Sequence, residues 1–175
     1  MNIIAFAATN STKSINKQLV AYAAQKMGGA TVEVLDLNDF ELPLFSEDKE
    51  AELGQPELAK AFLDKISASD GLVISFAEHN GSYTAAYKNL FDWSSRIKRD
   101  VYAHKPTVFL AASPGPGGAA SVLDAATKSA TFFAADVKAS LSIPSFYDNF
   151  DVEHQKLTNV DLDAALTSAL KTLTA

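Results

Sequence analysis

Cysteine is absent from this chain of 175 residues, and its absence excludes several kinds of chemistry. A chain without thiols has no disulfide framework, no thiolate nucleophile and no zinc or iron–sulfur site held by cysteine. Long apolar runs are also missing, since none approaches the ~20 residues that a membrane-spanning helix needs. The first residues carry neither the basic segment nor the cleavage site of a signal peptide. We therefore expect a cytoplasmic protein with no membrane partner.

Positive charge is scarce as well. The sequence has 15 Lys and Arg residues against 21 Asp and Glu residues, which gives a formal net charge of −6. Binding to a nucleic-acid backbone needs an excess of cations, so we expect no nucleic-acid partner. Apolar residues make up 47% of the chain and charged residues 21%, as in ordinary globular proteins. At ~100–200 residues per domain, the length predicts a single domain over residues 1–175.

Short apolar runs alternate along the chain with segments of helical period. The runs predict strands at residues 2–7, 31–36, 71–76, 106–112 and 136–142, and the helical segments lie near residues 15–27, 56–66, 84–97, 119–134 and 162–173. Three of the runs are almost continuously apolar, which is typical of parallel strands covered on both faces. The second and fifth alternate more and are placed at the edges.

This alternation predicts an α/β fold of βαβ units with right-handed crossovers. We expect a doubly wound, five-stranded parallel sheet in the order 2-1-3-4-5, with helices on both faces. Ligands of such sheets bind outside the carboxyl ends of the strands, where the strand order reverses. The candidate site therefore comprises the first loop (residues 8–16), the second loop (residues 76–83) and the third loop (residues 113–119).

The first loop is rich in hydroxyl groups and leads into a helix. The hydroxyls of Thr9, Ser11, Thr12 and Ser14 can each donate a hydrogen bond, and Lys13 adds a cation. A helix N-terminus also favours an anion, so the pattern is typical of a phosphate site. The alternative is that one hydroxyl caps the helix, which would leave the others unexplained. The loop has no glycine, so neither the P-loop nor the dinucleotide fingerprint applies.

The third loop has the sequence Ser-Pro-Gly-Pro-Gly-Gly-Ala and directly follows the fourth predicted strand. Glycine allows the backbone to approach a planar ligand closely, and proline stiffens the turn. The alternative is an ordinary tight turn between strand and helix, which needs only one or two such residues. The pattern therefore indicates either a backbone platform for a flat ligand or a plain connection.

The second loop carries the most specific motif. The run Glu78-His79-Asn80-Gly81-Ser82, followed by Lys88-Asn89-Leu90-Phe91-Asp92-Trp93, resembles the P-E-Y-N-x-S and L-K-N-x-x-D-W signature of NAD(P)H-dependent FMN reductases. The first loop is similar to the phosphate loop of that family, with Thr9, Ser14 and Asn16 at matching positions. The resemblance covers nearly the whole chain and implies the three-layer, flavodoxin-like fold that the strand pattern also predicts.

The resemblance implies an FMN cofactor, NAD(P)H as co-substrate, and a small acceptor such as a quinone, an azo compound or free flavin. It implies that FMN is bound by Thr9, Ser11, Lys13, Ser14, Ile15 and Asn16 of the first loop, by Ala77, Glu78, His79 and Asn80 of the second, and by Ser113, Pro114, Gly115, Gly117 and Gly118 of the third. In that family the third-loop amides face the pyrimidine end of the flavin. The cofactor carries the chemistry, so no side chain is assigned as an acid or base, and no metal site is expected.

The chain departs from the family pattern at several positions. Ser11 replaces the usual arginine of the first loop, so phosphate binding falls to hydroxyls, amides and Lys13. His79 stands where the family usually has tyrosine, and it covers a ring face or is simply a solvated loop residue. Relatives commonly dimerise through the helix after the second loop, which implies a homodimer or homotetramer. Phe91 and Trp93 on that helix are expected in the core or the interface.

Two other functions are compatible with the same fold. A flavodoxin-type electron carrier would bind FMN without oxidising NAD(P)H directly. A binding module of this fold would hold no flavin at all.

Overall fold

A five-stranded parallel sheet forms the centre of the computed structural model, which describes residues 1–173. The strands are β1 (Asn2–Ala8), β2 (Thr31–Leu35), β3 (Gly71–Phe76), β4 (Pro106–Ala112) and β5 (Asp136–Ile143). Their order is β2-β1-β3-β4-β5, and every neighbouring pair is parallel. The predicted flavodoxin-like fold is confirmed.

Seven helices and a short hairpin complete the described part of the chain. The helices are α1 (Ile15–Lys26), α2 (Glu47–Leu53), α3 (Glu57–Ala68), α4 (Ala85–Ile97), α5 (Ala120–Ser129), α6 (Phe146–Asn149) and α7 (Val160–Lys171). Two 3-10 helices span Leu37–Phe40 and Ala130–Phe133, and β6 (Phe150–Asp151) pairs antiparallel with β7 (Lys156–Leu157). Within residues 1–173, no helix combines the length and apolar character needed to cross a bilayer.

The sheet is buried on both faces, as its apolar strands require. Alternate residues of a strand point to opposite faces. In β1, Ile4 and Phe6 therefore pack with α3, α4 and α5, while Ile3 and Ala5 pack with α1 and α7. All six residues of β3 are buried, whereas the edge strand β2 has exposed positions. The pattern of continuous and alternating runs thus predicts which strands lie inside the sheet and which lie at its edges.

The acidic stretch around residues 48–52 is largely exposed to solvent. It forms the short helix α2, whose Glu50 carboxylate receives the Arg96 Nε–H at 3.0 Å to both oxygens. Arg96 lies in the last turn of α4, and this ion pair joins α4 to α2. Nothing in the local charge pattern indicates a partner 46 residues away.

Candidate functional site

The first, second and third loops meet at the carboxyl edge of the sheet, because β1, β3 and β4 are neighbours. Three buried or half-buried side chains connect them to one another or to neighbouring strand ends. These are Asn16, Glu78 and Thr84, and each bonds to backbone groups that are distant in sequence. Thr84 Oγ1 donates to the Ala8 carbonyl at 2.8 Å and accepts the Tyr87 N–H at 3.2 Å. It therefore caps α4 and fixes that helix to the end of β1.

Asn16 is the central polar group beneath the site, with only 2% of its surface exposed. Its Oδ1 accepts the Ala112 N–H at 3.0 Å and the Ser75 hydroxyl at 2.7 Å. Its Nδ2 donates to the Ala112 carbonyl at 3.2 Å. The side chain therefore joins the start of α1 to the ends of β3 and β4. These contacts give Asn16 a positioning role under the first loop.

Two hydroxyls of the first loop organise the loop itself. Thr9 is fully buried, and its Oγ1 accepts the Ser11 N–H at 3.1 Å. Ser14 is the N-cap of α1, and its Oγ accepts the Asn16 N–H at 3.1 Å. The capping interpretation thus applies to Ser14. Its hydroxyl proton still has no acceptor within residues 1–173.

The remaining polar groups of the first loop are exposed donors. Ser11, Thr12 and Lys13 are exposed, and their side chains form no hydrogen bond or ion pair with the described residues. They lie at the N-terminus of α1, where the helix carries partial positive charge. Capping leaves them unexplained, and a cluster of unpartnered donors is what a phosphate group requires. The first loop therefore fits the phosphate of FMN.

A nearby ion pair distinguishes Lys13 from the next lysine along the chain. Lys17 Nζ lies 2.7 Å from Asp36 Oδ2, so its charge is neutralised. Burial raises the pKa of Asp36, but hydrogen bonds from Lys17 and Asn38 outweigh that effect and leave the pKa below its ordinary value. Lys13, which has no such partner among the described residues, is the first-loop cation available to an anion.

The second loop ends in a tight hairpin turn. His79 and Ser82 exchange two backbone hydrogen bonds, of 3.0 and 3.1 Å. Asn80 and Gly81 between them both have positive φ, 53° and 75°. Asn-Gly at these positions defines a type I′ turn, which this residue pair favours strongly in hairpins. The turn exposes His79 and Asn80 at its tip, while Ala77 is buried at its base.

Glu78 connects the second loop to the helix that follows the third. Its Oε2 accepts the Val122 N–H at 2.8 Å, in the first turn of α5. The N-cap residue of α5 is Ala119, which has no capping side chain and a left-handed φ of 57°. Glu78 therefore supplies a cap from 44 residues away. The resemblance implied a flavin contact, and the structure shows the carboxylate bonded to α5.

The third loop is held from behind by the segment after β5. Ser142 Oγ donates to the Gly118 carbonyl at 2.6 Å, the Ser145 N–H donates to Gly115 O at 2.9 Å, and the Phe146 N–H donates to Ser113 O at 3.0 Å. Gly118 has a φ of +60°, and a Cβ there would collide with Ser142 Oγ, so only glycine fits. Residues 142–146 were not among the predicted site residues.

The front of the third loop is open. Pro114, Gly115, Pro116 and Gly117 are exposed, and a Cβ built on either glycine would meet no atom of the described chain within 4 Å. The prolines have no N–H, and the N–H groups of Gly115 and Gly117 have no acceptor within residues 1–173. An open face with two free amides fits a flat ring that carries carbonyl oxygens, such as the flavin.

The K-N-x-x-D-W element has a structural role in this chain. Trp93 is 1% exposed, and its Nε1–H donates to Pro43 O at 2.8 Å. Asn89 Oδ1 accepts the Phe45 N–H at 2.8 Å, and its Nδ2 donates to Leu42 O at 3.0 Å. One turn of α4 thus anchors the backbone at residues 42–45. The expectation that Trp93 lies in the core or the interface resolves to the core.

The fold and the loop geometry define a flavodoxin-like protein in which a loop of unpartnered donors lies beside an open glycine loop. A family model for NADPH-dependent FMN reductases matches residues 1–148. The chain belongs to that family. The predicted family is confirmed.

Curated relatives include an NAD(P)H-dependent FMN reductase of Pseudomonas aeruginosa, 36% identical over 92 residues, which are 53% of this chain and 48% of that protein. A 2-hydroxy-1,4-benzoquinone reductase of a Burkholderia species is 36% identical over 109 residues, 61% of this chain and 57% of that one. The matches thus span about half the length of these relatives.

Solved structures share the fold at low identity. A flavoenzyme NAD(P)H:acceptor oxidoreductase from Paracoccus denitrificans superposes with a TM-score of 0.77 at 21% identity, covering 98% of this chain and 94% of the other. An FMN-dependent NADH-azoreductase from Bacillus anthracis, solved in complex with FMN, gives a TM-score of 0.70 at 12% identity over the full length of both chains.

Proposed function

We propose that this chain is an FMN-dependent oxidoreductase that passes hydride from NAD(P)H through bound FMN to a small acceptor. The observation that carries the proposal is the pairing of two features on one edge of the sheet. Ser11, Thr12 and Lys13 are free donors at a helix N-terminus, and Gly115 and Gly117 present free amides on an open face. Family membership supports the same conclusion.

The first loop would hold the phosphate. The proposed ligands are the side chains of Ser11, Thr12, Lys13 and Ser14 and the Ile15 N–H at the start of α1. Charge-assisted hydrogen bonds of this kind are stronger than neutral ones. They replace the arginine that the family usually has at position 11. Asn16 and Thr9 act from below by fixing the backbone that presents these donors.

The second and third loops would hold the ring. The amides of Gly115 and Gly117 would donate to the pyrimidine end, and such donors would stabilise negative charge on the flavin. The hairpin tip places the His79 and Asn80 side chains in solvent, available to cover a ring face or edge. Ser113 and Pro114 set the start of the third loop, and Gly118 and Glu78 fix its end. Bound FMN supplies the redox chemistry, and the chain supplies binding and orientation.

For the acceptor we propose the quinone class, with azo compounds and free flavin as related substrates. The names of the Burkholderia and Bacillus relatives support this choice. We also propose a single domain over residues 1–175, a homodimer or homotetramer, and a cytoplasmic location. Light scattering on the purified protein measures the oligomeric state. NADPH oxidation with a quinone, followed at steady state, separates a reductase from an electron carrier.

The phosphate assignment is tested by titrating apo-protein with FMN and with riboflavin, which lacks the phosphate. Lys13→Ala and Ser14→Ala should each weaken FMN binding about fivefold, the effect of one hydrogen bond of ~1 kcal/mol. Riboflavin binding should not change for Lys13→Ala. Ser168→Ala, an exposed position on α7, is the matched control and should leave both affinities unchanged. Equal losses for both flavins in Lys13→Ala would refute the assignment.

A further inference from the structure

A small aromatic-lined cavity lies between α4, the turn after it and the end of α5, and none of the residues that line it belongs to the first or the third loop. Its volume is about 210 Å³. Five of the nine residues that line it are aromatic, namely Tyr83, Tyr87, Phe91, Tyr102 and Phe133. The phenol hydroxyls of Tyr87 and Tyr102 lie 2.8 Å apart, and both residues are almost fully buried.

The Tyr87–Tyr102 pair has two hydroxyl protons, and only one of them has an acceptor within the described chain. Burial raises the pKa of both phenols, so each oxygen carries its proton at neutral pH. One hydroxyl donates to the other, and the second proton then has no acceptor within residues 1–173. Buried polar groups in proteins are almost always hydrogen-bonded, and an orphaned donor is costly. The pair therefore requires an acceptor from outside the described chain.

The other hydroxyl groups that line the cavity each donate a hydrogen bond to an acceptor within the described chain. Ser129 Oγ donates to Ala126 O at 3.3 Å, which leaves the Tyr83 hydroxyl to donate to Ser129 at 3.4 Å. Ser95 Oγ donates to Asp92 O at 3.0 Å. Among the hydroxyls that line the cavity, only the Tyr87–Tyr102 pair therefore has a proton without an acceptor, and five of the nine lining residues are aromatic.

The charged residues at the cavity neutralise each other, so they do not favour the binding of an ion. Lys88 and Asp92 are the charged residues that line it, and they pair with each other at 2.7 Å. A single water occupies about 30 Å³ in the liquid and needs two to four polar partners when it is buried. The cavity offers one free hydroxyl donor in mainly apolar surroundings. An apolar molecule with a single hydrogen-bond acceptor therefore fits it better than water does.

We propose that this cavity binds a small, neutral aromatic carbonyl compound, whose oxygen accepts the free hydroxyl proton of the Tyr87–Tyr102 pair. Quinones belong to this chemical class. The inference does not depend on FMN, because all its elements are present in the apo-protein. A failure of FMN to bind would therefore leave it intact, and its own failure would leave the flavin proposal intact.

The test compares two probes of similar shape, acetophenone and ethylbenzene, in NMR titrations of the apo-protein. Only acetophenone has an acceptor, so it should bind the wild type about fivefold more tightly, the factor given by one ordinary hydrogen bond. Tyr87→Phe/Tyr102→Phe removes both hydroxyls and should abolish this preference while ethylbenzene still binds. Tyr102→Phe alone leaves one unpartnered hydroxyl and should keep the preference, which makes it the matched control.

Several results would overturn the inference. These are no binding of either probe to the wild type, equal affinities for the two probes, or a preference that survives in the double variant. A crystal soaked with acetophenone that shows only water in the cavity would do the same. If the double variant does not fold, Ser95→Met keeps both tyrosines and fills the cavity from its wall. That variant should lose both probes, and unchanged binding would place them elsewhere.

Discussion

Replacing Asn16 with alanine tests the claim that the site is positioned from below by one buried side chain. The change removes three hydrogen bonds, two with Ala112 and one with Ser75. At about 1 kcal/mol for each bond, the apo-protein should lose about 3 kcal/mol of unfolding free energy. For a chain of this size that corresponds to a fall in Tm of about 6–12 °C.

The assay is urea and thermal unfolding of the protein without flavin. Asn2→Ala is the control, because the exposed Asn2 side chain forms no hydrogen bond within residues 1–173, and it should change stability by less than about 0.5 kcal/mol. If Asn16 acted mainly as a flavin ligand, Asn16→Ala would weaken FMN binding and leave apo stability unchanged. That result would refute the positioning role.

The stability of Asn16→Asp should depend on pH, which provides a second test of the hydrogen bonds with Ala112. An ionised carboxylate at this buried position would face the Ala112 carbonyl, so burial should raise its pKa. The protonated acid can both donate to Ala112 O and accept the Ala112 N–H, as asparagine does. The stability of Asn16→Asp should therefore approach that of the wild type as the pH falls below the raised pKa. A gap that is independent of pH would contradict the geometry.

Three further predictions concern the supports of the fold. Glu78→Ala leaves the first turn of α5 uncapped and should lower the free energy of unfolding in urea by about 1 kcal/mol. Glu78→Gln keeps an acceptor for the Val122 N–H and should lose less stability. Equal losses in the two variants would argue against the cap. Gly118→Ala places an alanine at a left-handed φ and brings its Cβ against Ser142, so the free energy of unfolding of the apo-protein should fall by about 1–3 kcal/mol. An unchanged melting temperature would contradict the close packing. Burial raises the pKa of Asp163, but hydrogen bonds from Lys26 and Tyr22 outweigh burial and leave the pKa below its ordinary value. The stabilisation from Asp163 is therefore present above about pH 4 and is lost in stronger acid. Asp163→Asn should flatten the acid limb of the stability–pH curve, and an unchanged limb would show that these bonds do not contribute.

The strand pattern predicts most of the fold because burial on two faces and burial on one face leave different periodicities in the sequence. β3 is apolar throughout and lies inside the sheet, while β2 alternates and lies at its edge. Helix α2 was missed because it has no buried residue, so it has no apolar stripe to detect. The predicted helix over residues 119–134 is divided, since α5 ends at Ser129 and a 3-10 turn follows.

The candidate site is only partly predictable from sequence for a different reason. Residue types and loop positions identify the exposed donors, since Ser11 and Lys13 need only their own loop to be recognised. The supports depend on pairings between distant segments, such as Glu78 with α5 and Trp93 with Pro43. Such pairings have no local period. The hairpin at Asn80 is the exception, because the Asn-Gly pair indicates it directly.

The most direct test of the proposed function is a visible absorption spectrum of the purified protein with one equivalent of FMN, recorded without oxygen before and after NADPH is added. FMN held on the three loops should remain with the protein through gel filtration, show a spectrum shifted from that of free FMN, and lose its visible band when NADPH is added. FMN that elutes separately with an unshifted spectrum, or bound FMN that NADPH does not bleach, would contradict the proposed function.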